Sequence, residues 1–491
     1  MRKSTVATPA TTEVMTGASN TRLKRYRAAL TQRLFEPVDA ASLVAYRIAF
    51  GLILMWEVSR YFNRGWIRSY YIDPELNFSY FGFSWIKPWP GNWMYVHFVV
   101  VAVAAFGVTI GCLYRISAVV LFLTFSYWFL LDEAIYLNHL YLVVLLCFLA
   151  IVLPVNRTMS VDARLRPSRR SDVAPTWALW LVRGQIGLVY FYGGIAKLNH
   201  DWLHTQPMRM WLESRASRTL FDGLIPIGAF LNWEPTVLVF VYGGLLFDLT
   251  IPFLLLWKRT RLLAICAAVA FHLTNAWMFT IGIFPWFMIL ATLIFFAPNW
   301  PRRVFNWPRR EDVQSSATRR ESRRHRHLVL SGLGLWFAVQ CLMPFRHVLY
   351  SSNVHWTEEG HRFSWHMKLR SKTGRAVFLV EDEATGFRRT VPLNEHLTPR
   401  QRRKMATHPD MILQFAHYIE DVYREQYGLT DPVVRANVKA ALNGREFQDL
   451  IDSSVDLTQQ RRTLWKADWI VPFEESPLPE PGKRRPDDQS D

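Results

Sequence analysis

Apolar runs close to 20 residues long recur through the first 345 positions of this chain, and no other feature limits its fold so strongly. A helix needs about 20 residues to cross a hydrocarbon core of roughly 30 Å. Within that core, backbone polar groups have no water to bond and must be satisfied inside their own segment. The reading is an all-α polytopic membrane domain. Nine candidate spans emerge, at about 41–62, 93–113, 117–131, 138–155, 177–197, 235–257, 261–281, 283–298 and 327–345. The third and eighth are short, and the seventh and eighth nearly continuous, so eight spans is the alternative count.

Charge sets the orientation. A formal net charge of +17 would suggest nucleic acid in a soluble protein, but here the cations cluster between apolar runs. With the N-terminus inside, the inner loops carry Arg22, Lys24, Arg25 and Arg27, then Arg115, then Arg157, Arg164, Arg166, Arg169 and Arg170. Lys258, Arg259 and Arg261 follow, and then the dense run from Arg302 to Arg326. The outer loops keep only scattered cations such as Arg64, Lys87 and Arg209. This alternation obeys the positive-inside rule. It makes the lipid bilayer the partner, excludes nucleic acid, and places everything after a ninth span outside.

Four segments follow from these patterns. Residues 1–34, Thr/Ala-rich and basic without an apolar core, are expected to be a disordered cytoplasmic tail rather than a signal peptide. Residues 35–345 form the transmembrane domain, 346–474 a compact α+β domain outside it, and 475–491 a disordered tail. In the α+β part, Arg375–Glu381 and Phe387–Leu393 read as strands around Thr385-Gly386. A helix starts at Thr398-Pro399, is interrupted near His408-Pro409, and resumes over Met411–Tyr427. The alternating run Val434–Leu442 leads into Asn443-Gly444, a hairpin signal. All four cysteines (Cys112, Cys147, Cys266, Cys341) lie in apolar segments, so no disulfide supports the part outside.

The chemistry centres on the stretch Gln185–Trp202, in which an apolar run passes through Gly193-Gly194 and ends on Lys197. Two readings of that cation stay open. It is a membrane anchor whose long stem lets the ammonium reach the headgroups. Alternatively it is held in a partly dry pocket, where desolvation disfavours its charged form and makes it usable as a general base. Topology adds company: Asn138 and His139 open the fourth span at the outer surface, and His347 follows the ninth there. His272 and Asn275 lie three apart on one face of the seventh span, facing a cavity or serving as helix-to-helix glue. Arg183 and Asp248 read as a structural buried pair, and Arg47 and Glu57 as orienting the first span. No metal is expected: His200 and His204 make a single HxxxH, and His361 and His366 a looser pair. A bis-histidine haem between His97 and His272 is not required by anything in the sequence.

Taken together, these residues resemble a known family, the vitamin K-dependent gamma-glutamyl carboxylases and their bacterial homologues of the horizontally transferred transmembrane domain type. The resemblance runs in consistent order over roughly residues 40–472. It is carried by YRIAFG, NWMYVHF, GCLYRIS, LLDEAIYLNHLY, LVRGQIGLVYFYGGIAKLNHDW, GGLLFDL, FHLTNAWMFTIGIFPWFM, MPFRHVLY and FSWHMKLRSKTG, and ends weakly at DWIVP. As the resemblance implies, Lys197 occupies the position of the base that deprotonates vitamin K hydroquinone (or menaquinol). His139 and Asn138 match the pair that supports the reduced quinone and its oxygenated intermediates. His272 and His347 match two further histidines of the family. Asn275, Tyr192, Trp365 and His361 are counted with them as quinone- or substrate-binding residues.

The implied reaction lets O2 convert the hydroquinone anion into a strongly basic alkoxide. That base takes the γ-proton of a peptide glutamate, the carbanion adds CO2, and the quinone leaves as its epoxide. A glutamate-containing peptide or protein is the implied substrate, and no metal cofactor is implied. His361 stands where the animal enzymes have an aromatic residue, and the animal lumenal disulfide has no counterpart here. These departures keep a quinol epoxidase without carboxylation open as an alternative, and with it a non-enzymatic receptor or scaffold. A transporter is a third class, but no pair of discontinuous repeats is visible. The absent disulfide favours a bacterial inner membrane over an endoplasmic reticulum.

Overall fold

The computed structural model describes residues 24–26, 28–215, 219–220, 225–226, 228–279, 281–308, 322–350 and 352–480. Each apolar run read from the sequence holds a helix. They are α1 (Ala41–Asn63), α2 (Trp93–Ile110), α3 (Tyr114–Leu130), α4 (Asn138–Val152), α5 (Thr176–Ala196), α6 (Glu234–Leu256), α7 (Arg261–Met278), α8 (Phe284–Thr292) and α9 (Arg323–Leu342). Among the described residues, five of these segments are long and apolar enough to cross a membrane: α1, α2, α6, α7, and α9 extended to Leu349. α3, α4 and α8 are apolar but shorter. Val103, Leu123, Phe253, Leu263 and Leu335 stay exposed on the outward faces, as expected of helices that are apolar all round and lie in lipid.

Sequential helices pack as neighbours: α1 on α2, α2 on α3, α3 on α4, then α5 on α6, α6 on α7 and α7 on α8, with α8 returning to α1. Arg47 is buried, but it ties the chain beyond α4 rather than only orienting α1. Its Nη1 donates to the Val155 carbonyl and its Nη2 to the Met159 carbonyl, both at 2.7 Å. Glu57 pairs within its own helix, with Arg60. The expected Arg183–Asp248 pair does not form. The chain beyond α8 leaves carbonyls without helical partners, and Arg183 donates to two of them, Ile294 at 3.0 Å and Phe296 at 2.8 Å. Asp248 is taken by Lys197 instead.

The C-terminal part is an antiparallel sheet of β1 (Lys372–Asp382), β2 (Phe387–Thr390), β3 (Val433–Leu442) and β4 (Gln448–Asp449), in the order β2-β1-β3-β4. Among the described residues, its two helices longer than a single turn are α10 (Pro399–Met405) and α11 (Pro409–Tyr427). Thr398 and Gln401 form the capping box that starts α10. The stripe Met411, Phe415, Ile419 and Tyr423 on α11 shares one core with Phe378 and Val380 of β1 and Ala436 and Val438 of β3. Asn443 and Gly444 take φ of 53° and 79°, which suits the turn read at that dipeptide.

Both presumed tails are shorter than expected where the structure describes them. Residues 28–35 are helical, and Leu34 and Phe35 pack on the membrane core. Residues 475–480 follow the α+β part because Arg445 Nε holds the Ser476 carbonyl at 2.8 Å. Residues 1–23 and 481–491 lie outside the described residues.

Three loops of the helical part are clasped by the α+β part. Gln401 Nε2 donates to the Leu76 carbonyl at 2.6 Å and Arg462 Nη2 to the Ser79 carbonyl at 2.9 Å. Gln414 Nε2 donates to Glu133 Oε1 at 3.0 Å. Arg445 grips Asp201 with both Nη atoms, at 2.6 and 2.7 Å, and Asn443 Nδ2 adds a third bond at 2.6 Å. Removing one partner of such a buried pair strands the other charge. Asp201→Ala is therefore expected to lower the unfolding free energy by about 3 kcal/mol. It should also speed protease cleavage around residues 443–450, read by thermal melting and limited proteolysis in detergent.

Candidate functional site

α5 ends at Lys197, whose backbone N–H still bonds the Gly194 carbonyl at 3.0 Å. Asn199 then caps a new helical turn, accepting from the Trp202 N–H at 3.0 Å. Gly194 allows the approach of α6: a Cβ there would lie 2.8 Å from the Leu249 backbone nitrogen. Leu249 follows Asp248, so this contact sets the carboxylate against the end of α5. Lys197 Nζ donates to Asp248 Oδ2 and, at 3.3 Å, to the Gly193 carbonyl. The ammonium lies 5.3 Å from the centre of the Trp202 ring. Lys197 and Asp248 are 7 % and 5 % exposed, so the amine is dry, which is not where a snorkelling anchor sits. It is also paired, which the sequence did not suggest.

A second group lies deeper on the same helix. Tyr190 precedes Lys197 by seven residues, about two turns, and so shares its face. Its hydroxyl bonds His272 Nε2 at 2.7 Å and Thr292 Oγ1 at 3.0 Å. His272 Nδ1 is buried without a partner. The Phe284 ring joins two expected histidines: it stacks on His139 at 5.6 Å and meets His272 edge-on at 6.1 Å. Phe247, beside Asp248, packs on Tyr190 at 5.9 Å and so links the two groups. Asn275 is half-buried one turn beyond His272. His97 Nε2 is engaged with the Thr124 carbonyl at 3.0 Å, which leaves the haem reading without support.

The loop Glu358–Lys368 connects these groups to the α+β part. Besides Gly360, four of its residues, Glu358, Phe363, Trp365 and Lys368, have positive φ, a concentration of strain in non-glycine residues that persists only where the surroundings hold it. A Cβ on Gly360 would lie 2.5 Å from His347 Cα. Tyr136 receives the Phe363 N–H at 2.7 Å and donates to Asn138 Oδ1 at 2.9 Å. Asn138 Nδ2 then donates to the His366 carbonyl at 3.1 Å. Trp365 is buried in the helical core against Tyr141, ring centres 5.0 Å apart. Met367 reaches Gly193, beside Asp248.

The His366 ring lies 4.8 Å from that of His347, and both face a cavity of about 280 Å³ that Tyr192, Asn199 and His355 also line. Tyr192 donates to the Cys341 carbonyl at 2.8 Å. The Lys197 side chain is not part of this wall; Leu198 and Ala196 are.

One ring nitrogen each from His355, His361 and His366 lie within 4.8 Å of one another, all three residues buried or nearly so. Burial, followed by neighbouring cations and rings, pushes His355 down to about 3 and His366 to about 2, and holds His361 well below the usual imidazole range. The rings are therefore neutral at pH 7. His200 and His204 stack on each other at 4.1 Å on the surface, and His204 Nδ1 bonds the His200 carbonyl.

Asp248, Tyr190, Phe284 and His355 were not singled out as site residues from the sequence. Asp248 carried a signal, as an acid within an otherwise apolar span, but the wrong partner was inferred. Tyr190 and Phe284 look like any core aromatics. His355 gains meaning only through its neighbours in space.

Residues 35–300 match the family model of the HTTM domain, and residues 325–476 that of the vitamin K-dependent gamma-carboxylase lumenal domain. No solved structure matches the chain.

The buried pair yields a direct expectation. Asp248→Ala leaves an ammonium without its counter-charge and should cost about 3–5 kcal/mol. The double variant Lys197→Met, Asp248→Leu should recover most of that loss, since apolar replacements of a buried pair are close to neutral. Thermal melting of the three proteins in one detergent checks this.

Proposed function

The chain belongs to the vitamin K-dependent gamma-carboxylase family, and from that premise we propose that it is a membrane enzyme using Lys197 and Asp248 as one proton-accepting unit. The observation that carries this reading is the dry, paired amine at the end of α5. Together the two groups hold one proton fewer than they can. A hydroquinone hydroxyl gives its proton to Lys197 as the lysine's own proton passes to Asp248, and the hydroquinone is left as its anion. Exclusion of water keeps that exchange between the three partners.

His139, with Phe284 behind it, and Asn138 would orient the reduced quinone, with Tyr190 and His272 closing the deeper end. Its isoprenoid tail would lie in lipid. In the family's chemistry, O2 then turns the anion into the alkoxide that removes a glutamate γ-proton, CO2 adds to the carbanion, and the epoxide is released. The loop around Trp365, with Tyr192, His347 and His361, borders the side from which a peptide glutamate would enter. All nine helices would cross a bacterial inner membrane, with the N-terminus in the cytoplasm and the α+β part outside.

A purified protein given reduced vitamin K or menaquinol and O2 is expected to form epoxide. Lys197→Ala should lower that rate by about 100-fold or more, the usual contribution of a positioned base. Equal epoxide from both proteins would end the catalytic reading and favour a receptor or scaffold, which predicts peptide binding indifferent to the substitution. Labelled bicarbonate with a glutamate peptide scores the second half-reaction. His361, in place of an aromatic residue, is the specific reason to score it separately. Epoxide without label in the peptide would identify a quinol epoxidase.

A further inference from the structure

Of the three-histidine cluster between the loop and the α+β part, only His361 enters the reading above, as a border of the peptide's path, and no step above uses the three rings together. His355 precedes the loop, while His361 and His366 stand within it, and one ring nitrogen of each converges to within 4.8 Å of the others. The ring centres are 5.1 Å apart for His355 and His366, 5.3 Å for His361 and His366, and 6.0 Å for His355 and His361. Nδ1 of His355 and Nδ1 of His366 are buried with no hydrogen-bond partner. Buried ring nitrogens without a partner are costly unless something else binds them. Behind His361 stands the Glu358 carboxylate, its Oε2 3.7 Å from Nδ1, too far for a hydrogen bond but near enough to favour positive charge among the rings electrostatically.

We propose that His355, His361 and His366 form a binding site for a divalent late first-row transition ion, with a fourth coordination position open toward the cavity that His347 and Tyr192 line. Imidazole sets of this kind suit Zn²⁺, Co²⁺, Ni²⁺ and Cu²⁺ rather than Ca²⁺ or Mg²⁺, which require oxygen donors. Glu358 is already matched by Arg370 and by Lys372, whose Nζ lies 3.6 Å away. The ligand field therefore comes from the rings alone. Three histidines with one open position leave room for water or an anionic oxygen donor. His347, whose ring lies 4.8 Å from His366, flanks that position. The site is built from geometry and burial, and stands whether or not the quinone chemistry proposed above is correct.

The test uses the full chain without a histidine tag, in detergent, titrated with Co²⁺ and then with Zn²⁺. One Co²⁺ per chain is expected, with the d–d absorption of a low-coordinate ion, displaced by one equivalent of Zn²⁺. Each of His355→Gln, His361→Gln and His366→Gln should weaken binding about tenfold or more, while His204→Gln, in the surface HxxxH pair, leaves it unchanged. Because a glutamine variant can fail by misfolding, His361→Cys gives an independent readout. It should keep Co²⁺ and add a thiolate-to-cobalt charge-transfer band. No stoichiometric binding to the wild-type chain, binding indifferent to all three glutamine variants, loss on His204→Gln, or Co²⁺ bound by the cysteine variant without the new band would each overturn the proposal.

Discussion

A charged amine buried away from water must find an opposite charge or give up its proton, and the centre of this protein is arranged around that requirement. Lys197 ends one helix and Asp248 lies within the next, and they meet only because Gly194 lets the two backbones close up. A side chain at that position would separate the helices and strand both charges. The same face of α5 then presents Tyr190 two turns deeper, so the spacing that places the amine also places the hydroxyl that holds His272. One helix thus sets two chemically distinct groups in line.

The loop from Glu358 to Lys368 extends this arrangement across the boundary between the helical and α+β parts. Its repeated positive φ values allow successive residues to face different neighbours: Phe363 toward Tyr136, Trp365 into the helical core, His366 toward His347, and Met367 toward Gly193. An extended strand would alternate between only two faces. The strain is held by backbone hydrogen bonds to Tyr136 and Asn138 at one edge and by the charges around Glu358 at the other.

Much of the fold was legible in the sequence because its signals are local. Apolar run length located α1 to α9, though not the short helices between them such as Met208–Arg215, and the Thr398-Pro399 start and the Asn443-Gly444 turn located elements of the α+β part. Count and crossing were less legible, since α3, α4 and α8 are too short for length alone to decide. Pairing was the least legible. Asp248 was assigned to Arg183 because both are buried ionisable groups in apolar spans, yet Arg183 finds backbone carbonyls exposed by a helix end. Which partner an ion takes depends on packing distances that no periodicity encodes. His355 is the same lesson: eleven residues from His366 in the chain, it becomes its neighbour only through the turns of the loop.

The grip of Arg445 on Asp201 joins a residue just after the fifth helix to one near the far end of the chain. A ribosome releases these two positions far apart in time. The helices that carry the amine and its carboxylate are complete well before the segment that carries Arg445 exists. Biogenesis therefore passes through a stage at which the membrane part is built but the α+β part is not, and a nascent chain that stalls there holds its buried ion pair without the contacts that Met367 and Arg445 later bring.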